Sequence, residues 1–114
     1  MTIEQTRVID LIGIDNQTGN CILTISDHLD WEDELFHLYL LQEKLNSYLA
    51  FVESGEIFET YSQAKGRNIS FMIYFAHDLP EIAEQFLKKA QHFVTEAGFE
   101  LCFKVFPSTE FLFY

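Results

Sequence analysis

The chain has 114 residues, with 18 Asp and Glu against 7 Lys and Arg, a net charge of −11 and an isoelectric point near 4.5. That excess of carboxylates sets it against nucleic-acid backbones and anionic membrane surfaces, which repel like charge at long range. A hydrophobic fraction of 48%, including twelve Phe, excludes disorder. It supplies one domain, residues 1–114, with a core that needs neither metal nor disulfide.

The elements follow in chain order. Arg7–Asp15 (RVIDLIGID) and Asn20–Ser26 (NCILTIS) read as strands. Between them, Asp15-Asn16-Gln17-Thr18-Gly19 suits a tight turn closed by glycine, hence a hairpin. Trp31–Ser54 reads as a long helix with Asp30 as its cap and Glu32, Asp33 and Glu34 complementing the positive end of its dipole. Ser54-Gly55 ends it. Trp31, Leu35, Leu38, Leu41, Leu45, Leu49 and Val52 form one apolar stripe on this helix. Phe36, Leu40, Ser47 and Phe51 form a second, roughly opposite at about 100° per residue.

Glu56–Arg67 has no clear period and reads as a connector, with Lys65-Gly66-Arg67 as a turn. Asn68–Phe75 is a strand, and Pro80–Ala97 a one-sided amphipathic helix with Pro at its first position. Phe99–Phe106 is the last strand, followed by an apolar tail, Pro107–Tyr114. The order β-β-α-β-α-β predicts an α+β fold, a two-layer α/β sandwich with two helices on one face of a mixed four-stranded sheet. Strand order is left open by the pattern. The expected core comprises Leu35, Leu38, Leu45, Phe71, Ile73, Phe86, Phe93, Leu101 and Phe103.

No run of apolar residues reaches the ~18 of a membrane span. The opening MTIEQTRVID lacks the basic, apolar and small-residue order of a secretory signal. Cys21 and Cys102, without partners at metal-ligand spacing, read as free thiols of a reducing compartment. The expected location is therefore the cytoplasm. Twelve of the acidic residues lie in the first sixty, against only Arg7 and Lys44, so an electrostatically attracted partner would be a basic protein.

The densest polar run is Ser26 to Glu34, at the junction from the second strand into the long helix. Ser26, Asp27 and His28 have the residue types of a nucleophilic triad, but neighbours on an extended chain diverge where a triad must converge. Asp27, His28, Asp30, Asp33 and His37 make a possible divalent-metal site, with Asp33 and His37 four apart on one helical face. A surface hydrogen bond is the simpler use of that spacing. His77 and His92 read as solvated.

The segments VIDLIGID, LTISDHLDW, LLQEKLNSYLAFVESGEI, AKGR and EAGFEL, spread over residues 8–103, resemble a family of small uncharacterised bacterial α/β domains. The resemblance implies a bacterial cytosolic protein and carries no catalytic residue or cofactor. The function expected from these features is a non-enzymatic, acidic protein-interaction module without a cofactor. Its second stripe, Phe36, Leu40 and Phe51, needs a cover, either a second copy in a homodimer or the tail residues Phe111 and Phe113. The alternative is a metal-dependent hydrolase built on residues 27–37.

Overall fold

A computed structural model describes Ile3 and residues 9–106. Strands β1 (Leu11–Ile14) and β2 (Cys21–Asp27) form the hairpin, with Ile12 opposite Leu23 and Ile14 opposite Cys21. Its turn is held by Asp15, whose carboxylate accepts from the Gln17 N–H and the Thr18 hydroxyl, both at 3.0 Å. Gly19 takes the left-handed conformation (φ 77°) that closes it. Helix α1 (Glu34–Glu53) follows, then a short helix α2 (Glu56–Thr60), a 3-10 turn over Ser62–Ala64, and β3 (Ile69–Phe75). Helix α3 (Glu81–Glu96) leads to β4 (Glu100–Val105).

The sheet order is β1-β2-β3-β4, with β1 antiparallel to β2 and β2, β3 and β4 mutually parallel. Both parallel crossovers step in the same direction along the sheet. Right-handed connections therefore place α1 and α3 on the same side, where they flank a common depression. The result is the expected mixed four-stranded sheet with its long helices in a second layer. Leu23, Ile25, Phe71, Ile73 and Phe75 point into the helix layer and are buried. Ile22, Thr24, Met72 and Tyr74 alternate with them on the opposite face and are half-buried.

The long helix starts three residues later than its pattern suggests. Asp33, not Asp30, caps it by accepting the Phe36 N–H at 3.1 Å, while Asp30 accepts the Glu32 N–H in the preceding turn. It ends as expected, with Gly55 at φ 83° accommodating the reversal. Two core expectations are corrected. Leu35 on α1 and Phe93 on α3 are 72% and 64% exposed. Leu45, Phe71, Ile73 and Leu101 are buried, and Leu38, Phe86 and Phe103 are half-buried.

The second stripe is corrected too. Leu40 and Phe51 are buried in the chain's own core, and of the three bulky side chains only Phe36 remains exposed. Ile9 lines a depression with Ser47, Ala50 and Phe51, and Asp10 bonds to Lys44 and Tyr48. The approach to β1 therefore covers this side of α1.

Candidate functional site

The side of α1 that meets the sheet is polar along its centre. His37, Leu41, Lys44, Tyr48 and Val52 follow at steps of four, three, four and four, an arc of about 80° at 100° per residue. All five are buried, although His37 and Lys44 read as solvent-facing in the sequence. Burying a charge without a partner is prohibitive, and each of these has one.

At the carboxyl end of β2, His37 Nε2 lies 2.5 Å from Asp27 Oδ2, with neither side chain exposed. The second Asp27 oxygen accepts the Leu29 N–H at 3.1 Å. His37 Nδ1 faces the Asp30 carbonyl at 2.9 Å, so this nitrogen carries a proton. Nε2 is thereby turned toward the Asp27 carboxylate. Trp31 stacks on the imidazole, with centroids 3.5 Å apart and planes 14° from parallel, and seals the pair from outside.

Two turns along, Lys44 Nζ donates to Asp10 Oδ1 at 2.9 Å, again with both side chains buried. Beside it the Tyr48 hydroxyl donates to the Thr24 carbonyl at 2.7 Å and accepts the Asp10 N–H at 2.9 Å. Burial pushes the Tyr48 hydroxyl well above the ordinary phenol range. The two pairs and the tyrosine tie α1 to β2 and to the approach to β1, fixing both its height and its rotation. Sequence reading missed Asp10, Lys44 and Tyr48. The available signal was a basic residue and a tyrosine in phase with Leu41 and Val52.

The polar run therefore does not assemble as a reactive centre. Asp27 points into the core while His28 is exposed, so Ser26, Asp27 and His28 do not converge. Asp27 and His37 do come together, but on each other, and Asp30 and Asp33 accept backbone N–H groups at the helix entry. Among the described residues no group of three or more His, Cys, Asp or Glu is placed to hold a metal ion. Nor is any helix there long and apolar enough to cross a membrane.

On the outside of the same helix start the picture reverses. Leu35, Phe36 and Tyr39 are 72%, 51% and 55% exposed. Spacings of four and three set Leu35 and Phe36 each beside Tyr39 over the first turns of α1. Asp30, Glu32, Asp33 and Glu34, all exposed, immediately precede them in the chain. Phe111 and Phe113, the other expected interface residues, lie outside the described residues.

Residues 1–107 match the model of a family described as a family of unknown function (DUF6572), and the chain belongs to it. No curated protein and no solved structure matches the chain.

Proposed function

We propose that the protein is a non-enzymatic binding module that takes a basic, amphipathic protein segment on the exposed start of α1. The carrying observation is the ridge of Leu35, Phe36 and Tyr39, left in water by a chain whose core is otherwise well stocked. Adjacent bulky apolar residues of this kind mark interaction sites more often than scattered ones do. The carboxylate run just before the ridge selects the partner: lysines and arginines flanking an apolar anchor satisfy both. Where the polar run does bring ionisable side chains together, Asp27 and His37, and likewise Lys44 farther along α1, they are buried and engaged with partners, which favours binding over chemistry there.

The test is a titration with two designed helical peptides of identical apolar face, one Lys-rich and one Glu-rich, against wild type and the Leu35→Ser/Tyr39→Ser variant. The Lys-rich peptide should bind, weaken about tenfold or more in the variant, and weaken further as salt is raised. Equal binding by the variant would reduce the effect to nonspecific attraction by a protein of charge −11 and overturn the reading. Sedimentation of the free protein serves as control. A dimer that Phe36→Ser dissociates would replace the basic partner with a second copy.

A further inference from the structure

The helix layer carries a groove of its own. Helices α1 and α3 flank a depression of about 380 Å³, walled by Leu45 and Leu49 on one side and by Phe86, Ala90 and Phe93 on the other. Phe93 stands 64% exposed at it, a large apolar ring that the core does not take.

The groove and the exposed start of α1 form one surface. Leu35, Tyr39, Gln42, Asn46 and Leu49 follow at steps of four, three, four and three, which keeps them in line along the helix. Gln42, Asn46 and Leu49 line the groove, and Leu35 and Tyr39 are exposed in the same line ahead of it. From Leu35 to Leu49 the line runs about 21 Å, roughly four turns. Its charge changes over that length. The acidic run of Asp30, Glu32, Asp33 and Glu34 immediately precedes it in the chain, whereas Lys89, also exposed, is the only charged side chain among the described residues that line the groove.

Resting on the reading that this ridge takes a basic amphipathic segment, we propose that the segment is a helix lying antiparallel to α1 along this line. Its basic end sits toward the acidic run, and an acidic residue in its first turn reaches Lys89. A trough between two helices, with contacts repeating at three and four residues, is matched by the ridge of a third helix. An extended segment repeats at two and would find no strand edge between α1 and α3 to pair with. Direction follows from charge. Acidic residues stabilise the first turn of a helix and basic ones its last, so the end that meets the acidic run is the carboxyl-terminal one. Antiparallel docking also sets the dipole of the segment against that of α1.

The test uses two labelled helical peptides of identical apolar face and composition, titrated by fluorescence anisotropy. One carries Glu in its first turn and Lys in its last two; in the other these charges are exchanged. The first should bind wild type several-fold more tightly. Lys89→Glu should erase that preference, which a difference in peptide helicity alone would leave in place. Phe93→Ser should weaken the first peptide about tenfold. Both substituted side chains are exposed, so the core is untouched. If Leu35→Ser/Tyr39→Ser weakens binding but Phe93→Ser and Lys89→Glu do not, the ridge takes a basic segment that does not follow the groove, and this proposal alone falls. If neither peptide responds to Leu35→Ser/Tyr39→Ser, the binding reading falls and this inference with it. A dimer in sedimentation that Phe93→Ser dissociates would assign the groove to a second copy and overturn the proposal.

Discussion

The buried pair at the start of α1 is where a single substitution should be felt most. In His37→Phe the substituted ring keeps the shape that Trp31 stacks on, so little cavity is created. The Asp27 carboxylate is then left fully buried with only the Leu29 N–H among its described partners. Removing one member of a buried pair costs about 3–5 kcal/mol, a large share of the ~5–15 kcal/mol that holds a domain of this size together. Asp27→Asn is milder, at about 0.5–1.5 kcal/mol, because the amide oxygen still accepts from Leu29 and its NH₂ faces a neutral imidazole. Asp27→Leu combined with His37→Phe removes both polar groups and should return to within about 1 kcal/mol of wild type. Urea melts of wild type and these variants at neutral pH measure this directly. If His37→Phe costs under 1 kcal/mol, or the Leu and Phe changes add within about 0.5 kcal/mol, the pair is open to water and not sealed by Trp31.

Lys44→Met should cost about 3 kcal/mol or more in the same melts, because it strands the Asp10 carboxylate, while the Lys44→Met/Asp10→Leu double variant recovers most of it. Tyr48→Phe should cost about 1–3 kcal/mol for two lost hydrogen bonds. Because the folded protein holds the Tyr48 proton more tightly than the unfolded chain, that contribution is complete below the ordinary phenol value of about 10. It declines as pH rises toward the folded value, so Tyr48→Phe should flatten the alkaline limb of the pH–stability curve. Burial pushes both thiols up, so at neutral pH a thiol reagent should label half-exposed Cys102 slowly and buried Cys21 only on unfolding; equal fast labelling would contradict the packing. The Gln17 N–H and the Thr18 hydroxyl hold the Asp15 carboxyl below its ordinary value, so its stabilisation is present above pH ~4 and lost as pH falls through the folded value. The stability difference between wild type and Asp15→Ala should therefore shrink in melts below pH ~4.

The fold was legible because most of its signals are local and agree with one another. Alternation in Cys21–Ser26 and Ile69–Phe75 defines strands whose inward residues are the buried ones. Pro80 and Gly55 mark a helix start and a helix end where the structure has them. The crossover rule then places both long helices on one face without any further information. Strand order was not legible, because it depends on which strand edges pair. No residue pattern in β1 or β4 distinguishes an edge from an interior position.

The site was not legible, and the reason lies in the centre of α1. Its two apolar stripes looked like two faces, one for the core and one needing a separate cover. They are the two shoulders of a single broad buried face. Leu45 and Leu49 lie to one side of its centre and Leu40 and Phe51 to the other, with His37, Lys44 and Tyr48 between them. A periodicity argument scores His37 and Lys44 as solvent-facing, because it prices a charge by its own hydration. It has no account of an acid supplied by a strand ten residues earlier, or by Asp10, thirty-four positions away. With that centre read as surface, the helix is rotated. Leu35 is placed in the core, and Leu40 and Phe51 on a face that needs a separate cover. The same rotation hid the ridge of Leu35, Phe36 and Tyr39. The proposed partner binding on that ridge and the buried pairs are thus linked physically, since the pairs fix the turn of α1 that keeps those three side chains outside.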